Sequence, residues 1–193
     1  MNASSHISPA GVQLDETTLH MRQKEILAQP LLGRLCMAAV GIANTENIGM
    51  IFRVADAVRC DHLLFVDSAP INVNKIKKVS RHTHVSVPHD FVSSETFLSN
   101  LCAYPPLIAL EITTTSQNIF AATLPAEVTL VVGGERDGIP EHILAHCQRA
   151  VHIPMYGVNS SMNVATALGI AAYEVRRRWN AAPAPSNAST SSP

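Results

Sequence analysis

Five short runs of apolar residues lie along the chain, and turn residues bound each of them. A run without polar alternation is typical of a strand that is covered on both faces of a sheet. The pattern therefore predicts five buried strands, within the segments LCMAAVGIA (35–43), HLLFVD (62–67), LIALEI (107–112), VTLVVGG (128–134) and AVHIPM (150–155).

Helical patterns lie between and after these runs, most clearly in 47–58, 93–103, 140–147 and 161–179. Because strands and helices alternate, the pattern predicts an α/β fold with a mainly parallel sheet flanked by helices. The last helix is apolar for most of its length and ends in Arg176, Arg177 and Arg178, where cations complement a helix C-terminus. Its alanine-rich body predicts a second buried face, against a partner subunit.

The composition fits one core. The 193 residues are 47% hydrophobic, enough to bury a single substantial core. We expect one domain over 14–179, a flexible N-terminus over 1–13 and a disordered tail rich in proline and serine over 180–193. With a formal net charge of -1, any binding of nucleic acid must depend on a local basic patch.

Cysteine spacing and the absence of leader-like segments bear on localisation. No C-x-x-C pair occurs, which predicts buried free thiols in a reducing compartment, at Cys36, Cys60, Cys102 and Cys147. The first residues lack a basic start and an apolar core, and no stretch reaches the roughly 18 apolar residues of a membrane span. We therefore expect a soluble cytoplasmic protein without a membrane partner.

The loop in VVGGERDGIPEHIL (131–144) has the appearance of a phosphate site but the wrong side chains. Ile139 and Pro140 stand where a Walker loop needs Lys and Ser or Thr, and the glycine spacing is not that of a dinucleotide fold. Glu135 and Asp137 would repel phosphate and suit a ligand with hydroxyls and positive charge, such as S-adenosylmethionine. The alternative is an ordinary strand-to-helix turn, with Asp137 as a cap and Pro140 in the first helical turn.

Two further segments carry polar residues in apolar surroundings. In NTENIGMIFRVADAV (44–58), Arg53 follows Asn47 by about two helical turns and could reach an anionic substrate group. The alternative for Arg53 is a solvated or salt-bridged residue. In IPMYGVNSSMNVATALGIA (153–171), Ser161 and Asn163 fall at the start of the last helix, where simple capping is the alternative and is compatible with function.

Taken in order, the three segments resemble the SpoU, or TrmH-like, branch of the SPOUT RNA methyltransferases. The resemblance covers residues 35 to about 178. Met162 replaces the usual Leu, and Gly134 replaces the usual Asn or Ser. The first motif is matched by Asn47, Gly49 and Arg53, the second by Gly133, Gly134, Glu135 and Gly138, and the third by Ile153, Pro154, Met155, Gly157, Ser161, Met162, Asn163 and Val164.

This resemblance implies an S-adenosylmethionine-dependent methyltransferase acting on a ribose 2′-hydroxyl of RNA, with tRNA as the first candidate substrate and rRNA as the second. It also implies a C-terminal trefoil knot, which topology rules alone would not predict, and a homodimer whose active site draws on both subunits. The implied catalytic residues are Arg53, Asn47, Glu135, Ser161 and Asn163, and the implied cofactor-binding residues are Gly133, Gly134, Glu135, Gly138, Ile153, Met155, Ser161 and Met162.

Arg53 has two implied roles, as a base activated by an RNA phosphate or as a group that binds the phosphate and stabilises negative charge. A guanidinium stays protonated in proteins, which favours the second role. Two rival functions remain open. One is an RNA-binding protein or chaperone of the same fold with little catalysis, and the other is a methyltransferase that modifies a base.

The segment KIKKVSRHTH (75–84) concentrates positive charge. We expect contacts with RNA phosphates from this segment and from Arg53, although a solvated face is the usual role of a charge run. The basic residues concerned are Lys75, Lys77, Lys78 and Arg81. His142 and His146 have a metal-like spacing, but no third ligand is evident, so we expect surface histidines and no metal.

Overall fold

The computed structural model describes residues 13–68 and 73–181, although the side chains of residues 73–75, 77 and 181 lie outside that description. The segments predicted to be flexible, 1–13 and 180–193, therefore fall almost wholly outside the described part of the chain. The chain divides into two compact units, one ending at Leu31 and the other beginning at Leu32.

The first unit contains helix α1, Glu16–Ala28. Its N-cap is Asp15, whose side chain accepts a hydrogen bond of 2.8 Å from the amide of Thr18. None of its side chains is buried, and Leu19, Met21, Ile26 and Leu27 are exposed. Because its apolar residues do not form one stripe, the sequence pattern did not predict this helix.

The second unit is built on a seven-stranded sheet in the order β3-β2-β1-β6-β4-β7-β5, and every strand pair is parallel. This confirms the predicted α/β fold with a mainly parallel sheet. Two strands were not predicted, β3 and β5, because both are short and contain polar residues. The strands are β1 Arg34–Val40, β2 His62–Val66, β3 His89–Val92, β4 Leu107–Leu110, β5 Gln117–Asn118, β6 Glu127–Gly133 and β7 Arg149–His152.

The helices correct several predicted boundaries. The expected helix over 140–147 has only four helical residues, because it begins after Pro140 and ends in a turn. The last helix begins at residue 164 rather than 161, and the basic segment forms two helices that the pattern did not predict. The helices are α2 Thr45–Ala57, α3 Val73–Ser80, α4 Thr83–Ser86, α5 Ser94–Ser99, a 3₁₀ turn Leu101–Ala103, α6 Glu141–Leu144 and α7 Val164–Ala181.

Both faces of the sheet are buried, which explains the unbroken apolar runs. Leu35 and Met37 of β1 belong to the larger core cluster, together with residues of α2 and α7. Ala38 and Val40 point into the second cluster, with Phe97 of α5. Alternate side chains thus enter opposite cores. The buried polar residue of β6, Thr129, donates its hydroxyl to the carbonyl oxygen of Pro105 at 2.9 Å.

Two of the arginines near the end of α7, Arg176 and Arg178, bind loop carbonyls, whereas Arg177 pairs with the carboxylate of Glu174. Arg176 is buried and donates from its guanidinium to the carbonyl oxygens of Val58 at 2.9 Å and Arg59 at 2.7 Å. Arg178 donates to the carbonyl oxygen of Ile119 at 2.7 Å. The contacts of Arg176 and Arg178 thus fix α7 to the loops around the sheet.

The cysteine prediction is correct in part. Cys36 and Cys60 are buried and Cys147 is half-buried, but Cys102 is exposed, on the 3₁₀ turn at the surface. Burial raises the pKa of the Cys60 thiol to about 12 and that of Cys147 to about 11, so both remain protonated at neutral pH. Among the helices of the described residues, none has the length and apolarity that a membrane crossing requires.

Candidate functional site

A cavity of about 520 Å³ lies where strands β4, β6 and β7 end. The carboxyl ends of parallel strands meet at one edge of a sheet, where such folds bind ligands. Loops after all three strands contribute to the wall. The lining residues are Leu110, Glu111, Ile112, Val132, Gly133, Gly134, Glu135, Arg136, Gly138, His152, Ile153, Met155, Ser160, Ser161, Met162, Asn163, Val164 and Ala167.

The glycine loop after β6 folds back on itself. The amide of Gly138 donates to the carbonyl oxygen of Gly134 at 3.0 Å, and Gly138 has a φ of +63°. A Cβ at Gly133 would lie 1.9 Å from the carbonyl carbon of Gly138, so no side chain fits there. The glycines are therefore required by the closed path of the loop, which brings its backbone against the cavity.

A relay of side chains connects the three motif segments. Asn47 of α2 is buried and donates its side-chain amide to Glu135 of the glycine loop. The side-chain oxygen of Asn47 accepts from the amide of Asn163 at 2.9 Å. The other end of Asn163 caps α7, because its side-chain oxygen accepts from the amides of Ala165 at 3.0 Å and Thr166 at 3.2 Å. Asn163 thus both caps α7 and holds the side chain of Asn47 in the relay.

The first motif also contains a glycine with a packing role. A Cβ at Gly49 would lie 2.5 Å from a methyl carbon of Val79, so α2 and α3 approach more closely than a side chain permits. This contact places the helix with Asn47 and Arg53 directly against the helix of the basic segment.

Glu111, at the end of β4, is a cavity residue that the sequence analysis missed. Its carboxylate accepts from the amide of Ile112 at 3.0 Å and from the amide of Ile139 at 3.2 Å. The available signal was an acidic residue directly after an apolar strand, at the edge where parallel strands end. Arg136 and His152 also line the cavity and were missed; a side-chain nitrogen of His152 lies 3.0 Å from the hydroxyl oxygen of Ser116.

The cavity wall holds two carboxylates, those of Glu111 and Glu135, and one guanidinium, that of Arg136, so acidic side chains outnumber the basic one beside the ligand. Glu111 already accepts from the amide of Ile139, which a phosphate would otherwise use, and Glu135 adds a second carboxylate to the wall. A ligand with hydroxyl donors and a cationic sulfur suits these acceptors better, and Gly133, Gly134 and Gly138 line the wall without side chains. By its own chemistry, the cavity thus fits S-adenosylmethionine.

The structure brings most of the predicted site residues together. All eight residues predicted to bind the cofactor line the cavity: Gly133, Gly134, Glu135, Gly138, Ile153, Met155, Ser161 and Met162. Of the predicted catalytic residues, Asn47, Glu135 and Asn163 form the relay and Ser161 is an exposed residue of the wall.

Arg53 stands apart from the relay. It is exposed on α2 and is not a lining residue of the cavity, and its guanidinium lies 3.9 Å from the sulfur of Met50.

The alternative prediction for the glycine loop, an ordinary turn into a helix with Asp137 as its cap, is wrong about the cap. Asp137 is exposed, and α6 has no side-chain cap.

The basic segment presents Lys78 and Arg81 as exposed residues, whereas the side chains of Lys75 and Lys77 lie outside the described residues. Arg81 and His82 have φ values of 48° and 69°, and this left-handed link joins α3 to α4. His142 and His146 are exposed. Within residues 13–68 and 73–181, no cluster of three or more His, Cys, Asp or Glu side chains could hold a metal ion.

Comparison with known proteins agrees with the resemblance that the three motif segments carry. A sequence model of the SpoU rRNA Methylase family matches residues 34–173. The chain is 26% identical over 167 residues to the 23S rRNA (guanosine-2′-O-)-methyltransferase RlmB of Neisseria meningitidis serogroup B, covering 86% of this chain and 67% of that protein.

Solved structures are similar in fold. The TrmH/SpoU tRNA modifying enzyme of A. aeolicus matches with a TM-score of 0.68 and 26% identity over 83% of this chain and 84% of that one. The AdoMet-bound rRNA methyltransferase of Sinorhizobium meliloti matches with a TM-score of 0.71 and 23% identity over 78% of this chain. This chain spans only 58% of the length of the latter, and at that identity the likeness concerns the fold alone.

Proposed function

The chain belongs to the SpoU rRNA methylase family, and we propose that it is an S-adenosylmethionine-dependent methyltransferase that modifies a ribose 2′-hydroxyl of RNA. The observation that carries this proposal is the relay of Asn47, Glu135 and Asn163, which joins three distant segments at the edge of a cavity suited to the cofactor. A role confined to packing would not require three polar side chains to meet beside that cavity.

The cofactor would be held by the glycine loop and by the segments that follow β7. Gly133, Gly134 and Gly138 offer backbone without side chains, and Ile153, Met155 and Met162 offer apolar contact. When bound, S-adenosylmethionine supplies an electrophilic methyl group on a positively charged sulfur. Glu135 lines the cavity, and its bond from Asn47 fixes its orientation.

Arg53 is proposed to act on the RNA. The 2′-hydroxyl would release its proton to water as its oxygen forms the bond to the methyl carbon, and the carbon–sulfur bond would break in the same step, so negative charge develops on that oxygen before the new bond is complete. A protonated guanidinium can bind the neighbouring phosphate and stabilise that charge, whereas its use as a base would first require it to lose a proton. Its exposure on α2 leaves it accessible to a large anionic substrate.

Assembly and topology are part of the same proposal. We propose a homodimer, in which an exposed Arg53 and the cavity complete one site across the subunits, and a C-terminal trefoil knot around the cofactor. What supports the dimer is the separation of Arg53 from the lining of the cavity. What supports the knot is the sheet order, which places β6 between β1 and β4 and returns β7 to the far side of β4.

The RNA is proposed to be tRNA or rRNA. The relative from N. meningitidis is named for 23S rRNA, and the structure from A. aeolicus is that of a tRNA modifying enzyme. Lys78 and Arg81 are the exposed cations that would lie along the phosphate backbone, together with Arg53.

Mapping of ribose methylation in total RNA, from cells with and without the gene, tests the proposal. We expect one 2′-O-methylated nucleotide of a tRNA or rRNA to disappear with the gene and to return with the wild-type protein. A variant of the cavity that has no methyl-transfer activity in vitro should not restore this nucleotide. If it does restore the methyl group in cells, the chain is an RNA-binding protein or chaperone that assists another enzyme. A lost methyl group on a base would identify a base methyltransferase.

A further inference from the structure

Glu111 is a half-buried carboxylate in the cavity wall that belongs to none of the three motif segments. It follows Leu110, the last residue of β4. The ion pairs of the described residues do not include it, so none of the described guanidinium or ammonium groups contacts its carboxylate, although Arg136 lines the same cavity. A half-buried carboxylate is stabilised by hydrogen-bond donors, and its position in the wall allows a ligand to supply some of them.

Two backbone amides fix the orientation of this carboxylate. Oε1 accepts from the amide of Ile112 at 3.0 Å, and Oε2 accepts from the amide of Ile139 at 3.2 Å. Oε2 also lies 2.7 Å from the point that a Cβ at Gly138 would occupy, so the glycine permits this approach. Because each carboxylate oxygen has two acceptor sites, each retains one site for a further donor.

The chemistry of the cavity identifies that donor. A phosphate oxygen has no hydrogen to donate and would be repelled, whereas each hydroxyl of a ribose donates one hydrogen bond. Acidic side chains bind ribose hydroxyls in the same way in dinucleotide folds, also beside a glycine loop at the carboxyl ends of parallel strands.

We propose that Glu111 is a cofactor-binding residue, whose carboxylate accepts a hydrogen bond from a ribose hydroxyl of the adenosyl cofactor. The bonds from Ile112 and Ile139 hold the carboxylate in position for this contact. This role rests on the proposed function, because it takes S-adenosylmethionine as the ligand of the cavity.

The test is a calorimetric binding cycle with S-adenosylhomocysteine and its 2′-deoxy and 3′-deoxy analogues. The full chain is used as wild type, Glu111→Ala and Glu111→Gln, with Glu127→Gln as control, since Glu127 is exposed at the opposite end of β6. Exchange of the Ile139 amide in the ligand-free protein is measured alongside, because it reports on the loop without any ligand.

In the wild type and in Glu127→Gln, removal of the contacted hydroxyl should weaken binding roughly 10- to 100-fold, the range for a hydrogen bond to a charged group. In Glu111→Ala the parent ligand should bind more weakly by at least that factor, and removal of the same hydroxyl should cost no more than about twofold. Glu111→Gln has one acceptor oxygen and no charge. Its affinity for the parent ligand, and its loss of affinity when the hydroxyl is removed, should lie between those of the wild type and of Glu111→Ala.

Three results would overturn the role of Glu111 alone: a wild type that binds all three ligands equally, a hydroxyl dependence that persists undiminished in Glu111→Ala, or equal weakening of all three ligands together with faster exchange at Ile139. The last would show that Glu111 only positions the loop. A wild type that does not bind S-adenosylhomocysteine at all would overturn the proposed cofactor, and this role with it.

Discussion

The side-chain amide of Asn163 donates to the side-chain oxygen of Asn47 over 2.9 Å, although 116 positions of sequence separate the two residues. Asn47 in turn donates to Glu135, so one buried amide holds partners from two other segments. Both ends of the Asn47 amide are used, because an amide combines a donor and an acceptor in one group.

Asn47→Asp tests this relay. The new carboxylate cannot donate to Glu135 and places a second negative charge beside it, so we expect a loss of about 1 to 3 kcal/mol in the free energy of unfolding and a large loss of methyl transfer. Urea unfolding and a methyl-transfer assay measure the two effects. Asn159→Asp is the matched control, because Asn159 is exposed in the loop after β7, its side chain makes none of the described hydrogen bonds, and the variant should lose no more than about 0.5 kcal/mol. Equal stability of the two variants would show that the relay contributes nothing to folding.

Arg53→Ala is expected to reduce the rate of methyl transfer about 100- to 1000-fold, the effect of losing one preorganised donor, while folding and cofactor binding stay intact. Among the described polar contacts, the exposed side chain of Arg53 contacts only the sulfur of Met50, which is itself exposed, so its truncation leaves no buried partner. Arg53→Lys should also slow methyl transfer, because an ammonium group lacks the planar set of donors with which a guanidinium makes two parallel hydrogen bonds.

Single-turnover kinetics on saturating RNA provide the measurement for Arg53. Arg34→Ala is the control, since Arg34 is exposed at the start of β1, away from the cavity. Near-normal turnover by Arg53→Ala would make Arg53 a surface residue without a catalytic role.

Neutralising Lys77, Lys78 and Arg81 should weaken RNA binding and flatten its salt dependence. Each lost phosphate contact lowers the logarithmic salt slope by about 0.7 to 0.9. Filter binding across a salt series measures the slope, and calorimetry should show that affinity for S-adenosylmethionine is unchanged. Lys24→Gln, on α1, is a single-charge control. A slope equal to that of the wild type would mean that the basic segment is a solvated face.

Glu174 makes the stability of α7 depend on pH. Hydrogen bonds from Arg177, at 2.8 Å, and Arg178, at 2.6 Å, lower the pKa of this carboxyl from 4.5 to about 2. Because the folded-state pKa is depressed, the stabilisation is complete above about 4.5 and is lost as the pH falls towards 2.

Urea unfolding of Glu174→Gln should therefore show lower stability than the wild type at pH 7, and the difference should shrink progressively below about pH 4.5. Glu141→Gln, exposed in the first turn of α6, should match the wild type throughout. A difference that is constant from pH 7 to pH 3 would assign the effect to packing rather than to charge.

The sequence predicts the strands and the residues that line the cavity better than it predicts which side chains contact one another. Apolar runs identify β1 and β6 because both faces of each strand are buried, whereas β5 has two residues and no apolar signal. The motif segments supply the residues that line the cavity, but the pairing of Asn47 with Glu135 depends on the order of the strands, which local patterns do not contain. Glu111 was missed because it acts from the end of a strand outside the motifs.

The strand order also determines when the protein can first work during its own synthesis. Strand β6 lies between β1 and β4, so the middle of the sheet stays open until residue 133 has left the ribosome. The relay needs Asn163 as well, and Asn163 precedes the helix whose Arg176 binds the carbonyl oxygen of Val58, in the first half of the chain. Contacts this distant in sequence form slowly and late. Nascent chains that stop before α7 therefore leave the larger core cluster partly uncovered, because the buried apolar residues of α7 belong to that cluster, which makes early termination products candidates for chaperone binding and degradation rather than for partial activity.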